Sequence, residues 1–360
     1  MLALTVALTV TITIPLNMSK LFPSITIKQV AQEAGVSIQT VSRVVNYRYD
    51  VAPETRQRVQ EAITRLGYQP NAMARGLASR RSRTLGLITQ DFNDPFFTQV
   101  TTGAEQEAHE HGYFFMLGSV CCEKEEEPKY LRLLTERHVE GVLLIRGGGF
   151  DDADHLLKLQ GHGVPVVTTG FYLPGAPFTV IDVDNIDGGW QATRHLIDNG
   201  HRQIATITGP KNWKSAQDRL QGYCKALAEA GIDYNETLLG EGSWHHRSGY
   251  GAIQAILSRN LAFSAIFAQN DRMAIGAIQA LRQHGLQVPE NISVIGYDDL
   301  PEAEFANPAL STLRQPAVEI GQAATRELIH LIESPEAPPR QLLYNAELIV
   351  RNSVLPYRSM

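Results

Sequence analysis

Three cysteines, Cys121, Cys122 and Cys224, are too few for a disulfide framework, and the adjacent pair lacks the spacing of a zinc site. This scarcity excludes a stapled secreted scaffold and fits a chain kept in a reduced cytoplasm. The signatures of common catalysts are missing as well: there is no GxGxxG or Walker pattern, no nucleophile elbow and no HExxH. Gly147-Gly148-Gly149 follows a strand-like run, but no Lys-Ser/Thr succeeds it, so it is expected to be a cleft rim rather than a phosphate cradle. His245-His246 has no convergent partners at metal-ligand spacing. Neither a metal, a cofactor nor enzymatic activity is expected. The longest apolar run, Met1 to Leu16, has no basic leader and no small-residue cleavage site, and is shorter than the roughly 20 residues that span a membrane. Met18-Ser19-Lys20 offers a start just before the first organised segment. Residues 1–18 are therefore expected to be an over-extended or disordered leader, and no membrane partner is expected.

With 360 residues, 43% of them hydrophobic, the chain has apolar material for more than one core. Its charge is unevenly spread. Residues 20–83 hold 11 Lys and Arg against 4 Asp and Glu, while the remainder hold 21 against 34. A basic head on an acidic body points to an anionic polymer as partner for the head alone. Three short helical patterns fill residues 26–66, and a basic stretch with Arg75, Arg80, Arg81 and Arg83 follows. From Thr84 onward, short apolar runs alternate with helical patterns at the length of βα units, and the rhythm restarts after Asp184. Two such series imply two lobes, each a parallel sheet between helices. Glycines after helical stretches, at positions 112, 163, 200, 231 and 285, suit left-handed caps.

Residues 26–46, TIKQVAQEAGVSIQTVSRVVN, carry the most specific pattern. Thr26 with Gln29 makes a capping box for a helix whose apolar side is Ile27, Val30, Ala31 and Ala34. Gly35 permits a sharp turn, and Ser37 caps a second helix that turns Val41, Val44 and Val45 inward. Small Ala31 lets the helices cross closely, which is the helix-turn-helix arrangement. The outward residues Ile38, Gln39, Thr40 and Arg43 then face a DNA major groove. Gln39 suits paired hydrogen bonds to adenine and Arg43 to guanine, so these two are the base-reading candidates. Thr26, Ser37, Thr40 and Asn46 are suited to gripping phosphates.

GVSIQTVSRVVN, followed by VAPETRQRVQEAITRLGYQPNAMARGLASRRS, resembles the headpiece and hinge of the LacI/GalR transcriptional regulators. Pro53 suits the first turn of a third helix, although Ala52 stands where that family usually offers a hydroxyl cap. The resemblance implies a helix-turn-helix domain over residues 24–69 and a hinge over 70–83. Within the hinge, residues 71–79 are expected to fold when two copies meet over DNA, with Leu77, flanked by Ala74, wedged into the minor groove and Asn71 at the backbone.

The similarity continues from Thr84 to Arg351 through GLITQDFNDPFF, DRLQGY, AQNDRMAIGAIQAL and ISVIGYDDLPEAEFANPALSTLRQP. It implies an α/β periplasmic-binding-protein-like (type I) body of two Rossmann-like lobes joined by three crossovers. Residues 84–184 with 315–339 form one lobe, and residues 185–314 with 340–356 the other. Ligands of such folds sit at strand ends facing the cleft. There Arg219, Asn270 and Asp298 offer donors and acceptors for vicinal hydroxyls, Trp244 or Phe171 a flat face for a sugar ring, and Phe92 and Phe96 the opposite side. The implied protein is a cytoplasmic homodimeric repressor of a near-palindromic operator, under allosteric control by a small molecule, a sugar or sugar derivative. With Met360 the last residue, no heptad segment for a tetramer is expected, and a dimer is. Two alternatives stand beside it: a solute receptor of a transporter, opposed by the basic head, and a regulator answering to a purine or a phosphoprotein.

Overall fold

The computed structural model describes residues 25–46, 48–69, 81–120, 126–147, 154–170, 175 and 177–357. The chain divides into two compact units, residues 1–82 and 83–360. Asn71, Ala74 and Leu77, the expected hinge contacts, and Phe171 lie outside the described residues, as do residues 1–24.

The first unit is built of α1 (Ile27–Ala34), α2 (Ile38–Val45) and α3 (Pro53–Leu66). Gln29 Oε1 accepts from the Thr26 N–H at 2.8 Å and from its hydroxyl at 2.9 Å, anchoring the start of α1. Gly35 takes φ 64° to make the turn, a conformation that strains any residue with a Cβ. Ser37 Oγ then accepts from the Thr40 N–H at 3.1 Å and caps α2, a contact worth about 1 kcal/mol. Val30, Ala31, Ala34, Val41, Val44, Val59 and Ala62 form the core, with Val45 only packed against it. Ala52 gives α3 no side-chain cap, and Pro53 begins the helix instead.

The second unit opens with β1 (Thr84–Thr89), α4 (Pro95–Glu110), β2 (Phe114–Ser119), α5 (Glu126–Glu136), β3 (Val142–Ile145), α6 (Asp154–Gly161), β4 (Val166–Thr169) and β5 (Thr179–Val183). It continues with α7 (Asn185–Asp198), β6 (Ile204–Thr208), α8 (Lys214–Glu229), β7 (Leu239–Glu241), α9 (His246–Leu257), β8 (Ala265–Ala268), α10 (Asp271–Gln283) and β9 (Ser293–Ile295). The last elements are α11 (Pro301–Phe305), β10 (Thr312–Arg314), α12 (Ala317–Glu333), β11 (Gln341–Tyr344) and β12 (Glu347–Ile349).

Among the described residues these strands form two parallel sheets, in the orders β11-β5-β4-β3-β1-β2 and β7-β6-β8-β9, beside a two-stranded pair of β10 and β12. β1, β3, β4, β5, β6, β8 and β9 are buried throughout, as strands covered by helices on both faces must be. Edge strand β2 differs, leaving Phe114, Met116 and Leu117 exposed. Helix α12 returns to the first lobe and packs on α4. A Cβ on Gly103 would stand 2.0 Å from the Val318 carbonyl oxygen, and one on Gly321 2.0 Å from that of Val100. These two glycines let the helix backbones touch.

One boundary expected from the sequence is corrected. The sequence places residues 340–356 in the second lobe, but Gln341–Tyr344 pairs with β5 in the first sheet, Gln341 opposite Val180 and Tyr344 opposite Val183. The open edge of β5 takes this segment as a sixth strand. The chain recrosses only afterwards, when β12 pairs antiparallel with β10, Thr312 opposite Ile349.

Candidate functional site

On the first unit, Ser37, Ile38, Gln39 and Arg43 are exposed along the start and outer face of α2, while Thr40 is half-buried. Ile38 is 46% exposed, unusual for an isoleucine on an eight-residue helix whose opposite side supplies the core. Several of the expected phosphate grips are engaged within the chain. The Thr40 hydroxyl lies 2.9 Å from Ser37 Oγ, and Asn46 Nδ2 donates to the Ser42 carbonyl at 2.8 Å. Arg43 stands 3.5 Å from Asp50, a partner that sequence reasoning did not identify.

In the second unit a narrow cleft of about 40 Å³ lies between the two sheets at the carboxyl ends of their strands. Of the residues expected there, Phe96, Arg219, Trp244, Asn270 and Asp298 do line it. Phe92 does not; it is 43% exposed, in the loop before α4. Missed by the sequence reasoning were Asp94, Phe97, Arg146, Asp182, Trp213 and Gln315.

Arg219 is the hub. It is 5% exposed on α8, where its Nε donates to Asn185 Oδ1 at 2.8 Å and its Nη1 to the Gln269 carbonyl at 2.5 Å. Its guanidinium also lies 3.7 Å from the centroid of Tyr297 and 3.8 Å from Asp298. Asp298 follows β9 with φ 112°, a conformation rare for residues bearing a Cβ and the kind of local strain concentrated at ligand sites. Gln315 Nε2 donates to it at 2.6 Å. Burial pushes the Asp298 carboxyl up to about 7, against the opposing pull of Arg219. Behind it, Asp271 is fully buried and raised well above the usual carboxylate range by burial and by the Asp298 charge, although it accepts from the Thr312 hydroxyl at 2.6 Å and the Leu300 N–H at 2.8 Å.

Asn270 caps α10 by accepting from the Met273 N–H at 2.9 Å and holds the Trp244 carbonyl at 3.0 Å through Nδ2. Trp244 itself has φ 68°, and its indole N–H is buried with no hydrogen-bond partner among the described residues. From the first lobe, Asp94 caps α4 by accepting from the Phe96 and Phe97 N–H groups, and burial raises its carboxyl despite those bonds. Arg146, 3.2 Å from Glu127, has its guanidinium lowered by burial.

Each lobe repeats one device at its cleft edge, and of its contacts only that of Trp213 with Gly147 crosses between the lobes. Gln90, after β1, accepts from the Gly147 N–H at 2.8 Å. Gln269, after β8, accepts from the Gly209 N–H at 3.0 Å. Each glycine lies flush against an indole, Gly147 under Trp213 and Gly209 under Trp244. Among the described residues, no group of three or more His, Cys, Asp or Glu is placed to hold a metal ion. No described helix is long and apolar enough to cross a membrane.

A helix-turn-helix with an exposed polar face, on the same chain as two parallel sheets closing on a polar and aromatic cleft, defines a ligand-responsive DNA-binding regulator. Residues 26–71 match the bacterial regulatory proteins of the lacI family, and residues 82–352 match the periplasmic binding proteins and sugar binding domain of the LacI family. The chain belongs to the LacI family of transcriptional regulators.

It is 39% identical over 337 residues to the HTH-type transcriptional regulator CelR of Thermobifida fusca, spanning 91% of this chain and 98% of that one. It is 38% identical over 330 residues to the repressor PurR of Edwardsiella ictaluri, spanning 91% and 96%. Among solved structures, a CelR–cellobiose complex superposes with a TM-score of 0.71 at 37% identity, covering 91% of this chain and 99% of that one. The lac repressor dimer bound to operator and the anti-inducer ONPF gives 0.84 at 30% identity, covering 92% and 99%.

Proposed function

We propose that the protein is a homodimeric repressor whose hold on a near-palindromic operator is set by an uncharged sugar bound between its lobes. The observation that carries this is the cleft wall, where Trp213 and Trp244 stand beside Arg219, Asn270, Asp298 and Gln315. Indole faces suit the C–H face of a pyranose, and the fork of Arg219 with two carboxamides and a carboxyl suits its hydroxyl edge. Three carboxyl groups, Asp94, Asp182 and Asp298, line the space against two guanidinium groups, Arg146 and Arg219, a balance that favours an uncharged ligand over a phosphate. The CelR relative solved with cellobiose makes that disaccharide the first probe.

The head docks α2 in the major groove, with Gln39 and Arg43 reading bases and Ser37, Thr40, Asn46 and Thr26 positioned toward the backbone. In the hinge, Leu77, flanked by Ala74, acts as the wedge in the minor groove, with Asn71 at the DNA backbone. Exposed Phe114, Met116 and Leu117 on β2 supply apolar surface for a second copy. The effector works through unequal affinity for the two lobe arrangements, a coupling of about 1 to 3 kcal/mol, or roughly 5- to 150-fold in operator affinity. The protein acts in the cytoplasm and catalyses no reaction of its own.

A thermal-shift series with cellobiose, glucose, glucose 6-phosphate and hypoxanthine tests the ligand class, since a ligand at about 100 times its Kd stabilises by about 2.7 kcal/mol. An uncharged sugar is expected to raise the Tm alone. Stabilisation by hypoxanthine only would replace this reading with a purine-responsive regulator.

A further inference from the structure

Trp213 belongs to the second lobe, immediately before α8, yet its ring is seated on the first. It stacks on Phe97 of α4 with centroids 6.2 Å apart and planes 16° from parallel. Gly147, after β3, forms the rest of the seat: a Cβ there would fall 1.8 Å from the indole. Trp244 faces the same ring at 5.5 Å with a 58° tilt. Two indoles at that distance and angle leave no slot for a third ring between them. The residual cleft of about 40 Å³ is well below the roughly 300 Å³ of small ligand sites.

The two walls are held differently. Trp244 is fixed through its own backbone, with its carbonyl bonded to Asn270 and its face 5.7 Å from the Arg219 guanidinium. Trp213 holds the opposite lobe by ring contacts with Phe97 and Gly147, contacts that another flat ring with an apolar face can replace.

We propose that Trp213 is a built-in stand-in for a sugar ring: it occupies the seat on Phe97 and Gly147 that the effector takes, and the effector binds by displacing it. This rests on the carbohydrate reading of the cleft and adds which wall moves. Trp213 thereby bridges the lobes in the unliganded protein. It also reduces the apparent effector affinity by the fraction of molecules in which the seat is filled.

The test uses full-length protein carrying Trp190→Phe, which removes the indole bonded to Glu229 and leaves the cleft tryptophans as the emitters. Trp213→Ala and Trp213→Phe are compared in this background, with far-UV circular dichroism and operator binding as checks of folding. Acrylamide quenching of Trp244 is expected to be at least twofold stronger with alanine than with phenylalanine at 213. In stopped-flow mixing with cellobiose, the association rate of the Trp213 protein levels off as displacement becomes limiting. That of Trp213→Ala rises linearly and is at least tenfold faster at high sugar. Equal quenching in the two variants, or association no faster without the indole, overturns the proposal. A quenching difference in protein that binds no sugar sinks the carbohydrate reading while upholding Trp213 as the plug.

Discussion

In the head, Ile38, Gln39 and Arg43 stand exposed on one short helix, whereas in the body Arg219 and Asn270 are almost wholly buried and, with Asp298, come from three separate places, Arg219 from helix α8 and the other two from the ends of β8 and β9. The head's outward residues contribute little to its folding, because Val30, Val41 and Val59 on the other side carry the core. The body's residues are each other's partners: Arg219 bonds Asn185 and faces Asp298, and Asn270 both caps α10 and holds Trp244. A recognition surface of the first kind changes without disturbing its scaffold. One of the second kind changes stability and ligand choice together.

The sharpest way to break that contrast is Val41→Asp. An unpaired charge among Val30, Val59 and Ala62 costs several kcal/mol and unfolds the head. Operator affinity is expected to fall at least ~100-fold in fluorescence anisotropy, while the cellobiose-induced thermal shift persists. Loss of both would mean that the body depends on the head.

Next in size is Arg219→Ala, which leaves Asp298 and Asn185 without their buried cation, a defect of about 3 to 5 kcal/mol. Calorimetry should show effector binding weakened at least ~100-fold and a lowered Tm, with operator affinity in the absence of effector within a few-fold of wild type. A normal Tm with lost sugar binding would place the body's residues in the same category as the head's.

A smaller effect is expected from pH. Burial raises Asp298 to about 7, above the roughly 3.9 of an unfolded aspartate. The folded protein therefore binds this proton more tightly, so its contribution to stability is complete below about pH 4 and is lost as pH rises through about 7. Relative to Asp298→Asn, which cannot titrate, the wild-type Tm should fall between pH 5 and pH 8. A constant difference between the two would count against a buried, titrating carboxyl at this site.

The smallest effect belongs to the head. Asp50 and Arg43 form an exposed pair, and such pairs are worth less than about 1 kcal/mol. Asp50→Asn is expected to tighten operator binding about two- to five-fold by freeing Arg43 and removing a charge near phosphates. It should leave the Tm unchanged, and a weaker operator complex would instead make Asp50 a positioning residue for Arg43.

The same contrast explains what could be seen in the sequence. The head was legible because its information is local: a cap at Thr26, a turn at Gly35, a cap at Ser37 and apolar residues at helical spacing. The βα rhythm exposed most of the body's strands, since runs buried on both faces read as continuous apolar stretches. Short edge elements did not show. Gln341–Tyr344 is half exposed and its burial does not alternate, so only its pairing with β5 reveals its lobe. In the cleft, Arg219, Asn270 and Asp298 were found because each follows or faces a recognisable strand end. Phe97, Trp213 and Gln315 were not, because nothing local marks a ring that reaches across to the other lobe. Phe92 was misjudged for the same reason: flanking Asp94 in sequence did not carry it inward.

The late return of Gln341–Tyr344 to the first sheet has a consequence for biosynthesis. At about 5 to 20 residues per second, a ribosome completes the head many seconds before the sixth strand is available. A nascent chain would thus present an operator-reading surface well before it owned a finished metabolite sensor, and a truncation between the head and that strand would leave the former without the latter.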